Sequence, residues 1–300
     1  MQKKTIKHIV FLFLLSICIV PQSLRAQSDK ADNMALLRKM EDSLIRSADS
    51  MFYTPIPDFR TEYCEQFVKQ LIRTLKIPGS YNYPFDSLQK TVSIIYPEDR
   101  SFRIFNWPVA YTDVRLRYYA AIQMNSEELK LTPLYDNSDL LTKTDEDKIF
   151  GPKEWIGGLI YNIITKKVDG ESVYCLLGIN DGNPISTKKF IDPLIFTDKG
   201  PTFGAPIFAI GSEKNPSKGV NRFLLEYKKG VSVSMNWDEE HKAILFDDIA
   251  SQINDPNRKY TYIPTGQYNG LRWANGKWKF VNNLIPVLEL KDGDAPSQNK

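Results

Sequence analysis

Two residue classes in this 300-residue chain are candidates for chemical work, its carboxylates and its tryptophans. The carboxylates that stand next to apolar or turn segments are Asp99, Asp181, Asp192, Asp198, Glu226, Asp247 and Asp248, and they form the general acid or base set. Hydrolysis of a glycosidic bond needs two such groups facing each other across a cleft, and their separation decides the stereochemical outcome. Spacing along the chain does not encode that geometry. Glu226 falls out of phase with Phe223, Leu225 and Tyr227, so it is expected on a solvent face. Asp247 and Asp248 close an apolar run and are expected to end a strand or cap the next turn. The catalytic residues are therefore unknown at this level.

Histidine is close to absent: His8 and His241 are the whole supply. His241 sits in the charged cluster Asp238 to Lys242 after Trp237, which reads as a solvated turn rather than a base. Histidine triads, HExxH zinc sites and Cys/His zinc knuckles need more ligands than this. GxSxG, GxxxxGK[ST] and GxGxxG are all missing, which removes the usual serine-hydrolase and nucleotide routes. Asp136 to Asp139 and Asn180 to Asn183 cluster oxygens without the spacing of an EF-hand loop, and turns are rich in these residues anyway. No metal site and no cofactor is implied.

Five tryptophans remain: Trp107, Trp155, Trp237, Trp273 and Trp278. A β-rich body needs large side chains in its core, and most of them are expected there. Trp273 and Trp278 are the exception, as candidate ligand-binding residues on an aromatic hairpin near the end of the chain.

The segment that sets the context is Met1 to Ala26. Lys3, Lys4 and Lys7 precede an apolar run from Ile9 to Val20, followed by Pro21 and a polar stretch ending at Ala26. This is the layout of a secretory signal peptide, and the run is short for a bilayer span. Export to the periplasm or the exterior is the expectation, with no transmembrane anchor in the mature chain. Ile17 stands where a lipoprotein box would carry a small residue, so Cys18 is not expected to be lipidated. Four of the 39 basic residues and none of the 36 acidic ones lie in this segment, which leaves the remainder at a formal charge of −1. No field that would steer nucleic acid is present. Cys64 and Cys175 are then the cysteines left, and an oxidising compartment permits one disulfide between them. Burial as two small apolar residues is the alternative.

Periodicity outlines the scaffold that holds these groups. Met34, Leu37, Met40 or Leu44, Ala48 and Met51 recur at helical spacing from Asp29 to about Phe52, and Pro55 and Pro57 break that helix. Phe59, Tyr63, Phe67, Leu71 and Leu75 make the stripe of a second helix, stopped at Pro78 and Gly79, and a short piece around Phe85 to Gln89 is a third candidate. Beyond Thr91 the period becomes 2. Asn275-Gly276 suits a two-residue type I′ turn that sets Trp273 opposite Trp278 and Leu271 opposite Phe280. Asp169-Gly170 joins Tyr161–Val168 to Glu171–Leu177 in a hairpin central to its sheet. Lys228, Lys229 and Gly230 are expected to turn a hairpin pairing Tyr227 with Val231, Leu225 with Val233 and Phe223 with Met235. Further strands are expected at 92–96, 102–107, 115–124, 129–135, 190–196, 205–210 and 243–247. Short turns between strands argue for an antiparallel system. The fold class is α+β: N-terminal helices followed by a predominantly antiparallel β body, with sandwich, barrel and propeller arrangements all open. The domain reading is signal peptide 1–26, helical segment 27–90, β-rich body 91–290 and disordered tail 291–300, with 136–154 as an internal loop.

Five stretches, Asp99–Trp107 (DRSFRIFNW), Ile191–Phe208 (IDPLIFTDKGPTFGAPIF), Arg222–Tyr227 (RFLLEY), Ile244–Ile249 (ILFDDI) and Gly270–Val281 (GLRWANGKWKFV), carry a resemblance. The β body resembles an uncharacterised family of exported bacterial proteins with no established activity. The resemblance implies export and a shared fold, and it carries over no functional residue. The functional expectation is an exported binding or structural module of the envelope, with a glycan or an envelope protein as partner. A carboxylate-dependent glycan hydrolase is the alternative.

Overall fold

The computed structural model describes residues 22–112, 114–140, 147–210 and 220–286. The expected signal peptide as far as residue 21, the tail at 291–300 and the middle of the acidic stretch, 141–146, lie outside the described residues.

Two helices open the chain, α1 (Gln22–Tyr53) and α2 (Pro57–Leu75). Pro55 interrupts them, and Pro57 takes the first position of α2, where its missing N–H has no intrahelical partner to lose. α1 starts upstream of the Asp29 read from periodicity and runs through the position expected for signal cleavage. Leu37, Leu44, Ala48 and Met51 of α1 and Cys64, Phe67, Leu71 and Leu75 of α2 are buried. Phe59, expected in that stripe, is 45% exposed. Burial in α2 begins only at Cys64, a full turn later. The expected third helix around Phe85 to Gln89 is a single 3-10 turn at Leu88–Lys90, and a second 3-10 turn stands ahead of it at Ser80–Asn82. Buried Glu41 of α1 holds the Leu88–Lys90 turn, because its carboxylate accepts the backbone N–H groups of Ser87 and Leu88 and the Tyr83 hydroxyl.

Fourteen strands follow among the described residues, in three open sheets. Sheet I is β1 (Ser93–Ile95), β2 (Phe102–Thr112), β3 (Arg115–Met124) and β4 (Leu131–Tyr135), in that order. Sheet II contains β5 (Leu159–Val168), β6 (Glu171–Asn180), β7 (Ser186–Thr197), β8 (Gly200–Phe203) and β10 (Phe223–Lys228), ordered β10-β7-β6-β5 with β8 on β7. Sheet III is ordered β11-β12-β13-β14-β9, from β9 (Phe208–Ala209), β11 (Met235–Asp238), β12 (Ala243–Ser251), β13 (Tyr262–Ala274) and β14 (Lys277–Ile285). Every pairing is antiparallel except β14 with β9. The fold is α+β, as its periodicity requires, and stacked open sheets replace the barrel and propeller options.

Three cores hold the layers together. Phe105, Trp107 and Val109 of β2 meet the two helices, while Phe102 and Ile104 of the same strand face sheet II with Tyr174, Leu176 and Phe190. On the other side of sheet II, Val173, Cys175, Leu177 and Ile191 pack on Ile244, Leu271 and Trp278 of sheet III. Strict alternation along β2 and β6 therefore serves two cores at once, which is why both strands are apolar on both faces. Arg103 of β2 is fully buried in the helical layer, and among the described residues no carboxylate pairs with it. It donates to Gln123 Oε1, Tyr83 O, Tyr96 Oη and Ser80 O, and its guanidinium lies 4.7 Å from the Phe105 ring centre and 5.0 Å from that of Phe85.

Two of the three hairpins form as their turns dictate. Asp169 and Gly170 (φ 51° and 90°) and Asn275 and Gly276 (φ 54° and 72°) have the positive angles of type I′ turns. Trp273 pairs with Trp278 and Leu271 with Phe280. In the first hairpin β6 lies inside its sheet, but β5 is the edge strand. The third hairpin does not form. The chain turns at Gly230 (φ 79°), yet β10 pairs with β7 in sheet II and β11 with β12 in sheet III. Of the six side chains expected on the hairpin's buried face, Phe223, Tyr227, Val233 and Met235 are buried and Leu225 and Val231 half-buried. Their apolar alternation is the same whether two strands pair edge to edge or face each other across a core, and here they face.

The cysteines are free, with Cys64 under the helices and Cys175 between sheets II and III, so the disulfide alternative is set aside. Among the described residues no helix is long and apolar enough to cross a membrane.

Candidate functional site

A cleft of about 590 Å³ runs along β10, the end strand of sheet II, lined on one side by Ser138, Ile156 and Gly157 and on the other by the β12–β13 region of sheet III. β10 supplies Leu224 and Glu226 and β7 supplies Lys188, whose position directly opposite Glu226 places both side chains on one face. The other wall comes from β12 and β13, with Phe246, Asp247, Asp248, Tyr262 and Asn269, and from the loop before β13, with Asn257 and Lys259.

β12 does not end at its aspartates, the boundary expected from its apolar run. It continues to Ser251, and the ladder with β13 shifts register between Asp247 and Ile249. Such a bulge adds a residue to one strand and re-aims side chains, so two consecutive carboxylates can border one cleft. Asp248 is held at both oxygens, by the Thr265 hydroxyl (2.8 Å) and the Asn269 amide (2.9 Å). Asp247 accepts the backbone N–H of Ser234. Glu226, expected to be exposed, is half-buried and accepts the hydroxyl of buried Ser186 at 2.6 Å. Lys259 lies over the Tyr262 ring, 4.2 Å from its centre, and donates to its hydroxyl.

Three of the seven carboxylates, Glu226, Asp247 and Asp248, thus line one cleft. The other four lie elsewhere. Asp99 accepts Ser101 and Tyr174; burial pushes its carboxyl up, and these hydrogen bonds reverse that and leave it below the usual range. Asp181 pairs with Lys229 at 2.7 Å, and Asp198 is exposed at the β7–β8 turn. Asp192 is fully buried against Arg222, whose side chain reaches the cleft wall. Burial pushes the Asp192 carboxyl up to about 6, against the opposing pull of Arg222. His241 bonds Asp238 within its own turn. Asn180 and Asn183 accept backbone N–H groups of their own loop, and Asp136 accepts those of Ser138 in its loop and Tyr118 on β3.

The tryptophan hairpin is placed differently from expectation. Trp278 is fully buried and donates its indole N–H to Cys175 Sγ at 3.3 Å, while Trp273 is half-buried against it with ring centres 5.1 Å apart. Proximity to the chain end does not bring this hairpin to the surface, because β12 pairs on one side of it and β9 on the other. Trp278 presents no face to a ligand; the aromatic surface of the cleft is Tyr262 and the 37% exposed Phe280. Neither is marked by local sequence. Tyr262 lies at the head of a strand whose first half lacks clean alternation, and Phe280 stands out only as the partner of Leu271 on the aromatic face of the hairpin.

The site is that of a layered α+β protein with a mixed polar and aromatic cleft at a sheet boundary. No family model, no curated protein and no solved structure matches the chain.

Proposed function

We propose that this chain is an exported carbohydrate-binding module whose site is the cleft between β10 and the β12–β13 wall. One observation carries the reading: Lys188 and Lys259 stand with Glu226, Asp247 and Asp248 beside the rings of Tyr262 and Phe280, while the charge of Arg222 is matched by buried Asp192. Such a mixed set offers both donors and acceptors to a hydroxylated ligand. Apolar ring faces meanwhile suit a ligand with one hydrophobic side, which is the chemistry of a neutral sugar. Export rests on the N-terminal segment, and envelope glycans are then the class within reach. Calorimetric titration with a panel of neutral oligosaccharides tests it. Tyr262→Ala is expected to weaken a bound member by about tenfold, the worth of one lost stacking contact. Absence of heat from every member, or unchanged affinity in both Tyr262→Ala and Asp248→Asn, overturns it.

A second reading, a carboxylate-dependent glycan hydrolase, is favoured by the presence of Glu226, Asp247 and Asp248 in one cleft. It requires turnover of a bound oligosaccharide that Glu226→Gln or Asp247→Asn abolishes while binding persists.

A further inference from the structure

We propose that one end of the layered body, where five loops meet, docks on a bilayer surface that carries anionic phospholipid. The inference stands without the carbohydrate reading. The loops are the α1–α2 turn (53–60), the β2–β3 turn with its flanks (110–117) and the connections 181–185, 228–230 and 251–261. Hydrogen bonds trace them around the same end of the molecule, across all three sheets and the helical layer. Arg60 Nη1 donates to Ala110 O (3.2 Å), and the Asp181 N–H donates to the Tyr118 hydroxyl (2.8 Å), one residue beyond the second loop. The Lys229 N–H donates to Ile185 O (3.2 Å), and Lys228 Nζ donates to Gln252 Oε1 (3.2 Å).

Seven of the eleven exposed large apolar side chains among the described residues lie on these loops. Tyr53 (76% exposed), Ile56 and Phe59 tip the first, Val114 the second and Ile185 the third, and Ile253 and Tyr260 tip the last. Single exposed apolar residues are ordinary, but their concentration at one end marks an interaction surface. Charge identifies the partner. The five loops hold seven basic and four acidic residues, a net +3 in a chain that carries −1 beyond residue 26. Asp181 pairs with Lys229 and Asp255 with Arg258, while Arg60, Arg115, Lys228 and Lys259 have no carboxylate partner among the described residues. Apolar tips interspersed with cations match the two chemistries of a bilayer interface, where acyl chains lie beneath phosphates, and tyrosine is the kind of ring that settles between them. Tips on separate loops can enter a fluid interface independently, whereas a protein partner would have to supply one continuous face fitted to all five. Among the described residues no helix is long and apolar enough to cross a membrane, so these loops make a peripheral contact.

Co-sedimentation of the protein, as isolated from its cell, with vesicles tests the proposal. The vesicles are phosphatidylcholine alone and an equal mixture of phosphatidylcholine and phosphatidylglycerol. The protein is expected to sediment with the mixed vesicles and to stay in solution beside phosphatidylcholine alone. Lys228→Gln should lower the partition about fivefold, the worth of one basic side chain at an anionic surface. Tyr53→Ser combined with Ile56→Ser should lower it about tenfold or more, through the apolar area no longer buried in the interface. These positions are exposed, so the fold is retained. Lys277→Gln, exposed beside the β13–β14 turn at the opposite end of β13 from loop 251–261, should leave the partition unchanged. No sedimentation with the mixed vesicles, equal recovery on both kinds, or an equal loss in Lys277→Gln overturns the proposal. So does binding that survives both loop variants, which would trace it to the apolar run from Ile9 to Val20. Retention on heparin with none on vesicles overturns it as well, and would assign the loops to a polyanionic macromolecule.

Discussion

Asp192→Asn should remove an unusual pH dependence of stability. Asp192 and Arg222 are 0% and 1% exposed, and they meet through a contact of 3.1 Å from Arg222 Nε to Asp192 Oδ1. Arg222 is shared with the carbonyls of Lys148 (2.9 Å) and Phe203 (3.2 Å) and lies over the Phe150 ring, while Asp192 Oδ2 has no donor among the described residues. Burial therefore outweighs the arginine, and the carboxyl rises from 3.8 to about 6. A group raised in the folded state stabilises most when protonated. Its contribution is fully present below its ordinary value and is lost as pH rises through about 6. A shift of about two units is worth roughly 3 kcal/mol in full, and about 2 kcal/mol of it falls between about pH 4.5 and pH 7. Urea unfolding followed by tryptophan fluorescence, run on the unsubstituted protein and on Asp192→Asn across that window, isolates the effect, because other carboxylates cancel in the difference. The stability of the unsubstituted protein relative to the variant should fall by about 2 kcal/mol from about pH 4.5 to pH 7. A flat difference, or one that rises with pH, would show that Arg222 fully compensates the buried charge and would refute the reasoning.

Arg103→Met should cost about 3 kcal/mol in the same assay, because Ser80 O, Tyr83 O, Tyr96 Oη and Gln123 Oε1 lose their donor inside the helical layer. A loss under about 1 kcal/mol would mean that the relief of burying no charge offsets those contacts. Cys64 and Cys175, pushed up by burial to about 11 and about 12, should resist a thiol-specific disulfide reagent at about pH 8 until the chain unfolds. Labelling of either in the native protein faster than global unfolding would contradict their burial.

Features that depend on near neighbours in the chain can be read from its residues. Pro55, Pro57 and the stripe from Cys64 to Leu75 set the two helices, and Asp169-Gly170 and Asn275-Gly276 set two hairpins with their register. The failure at Lys228–Gly230 has a physical cause: alternation tells which side chains are buried and is silent about whether the partner lies beside the strand or across the core. The same silence hides the cleft. Glu226 is expected in solvent because it alternates with Leu225 and Tyr227, but the opposite face of β10 is also partly covered. Tyr262 reaches the cleft of Glu226 only through the pairing of strands far apart in sequence.

The layering itself explains why the site lies where it does. Sheet II has a core on each side, so six consecutive residues of its inner strand β6, Val173 to Gly178, are buried and none can be given to a ligand. Burial declines toward the end strand β10, where Leu224, Leu225 and Glu226 are only half-covered. Polar side chains can reach a ligand there without breaking either core. The facing strand β12 meets this edge with its bulge, the one place in that ladder where strict pairing is already interrupted. An edge strand with little covering it and a bulge opposite are also features that invite unwanted pairing. In this chain they are occupied by Glu226, Asp247 and Asp248, and charges at such positions discourage another strand while remaining available to a hydroxylated ligand.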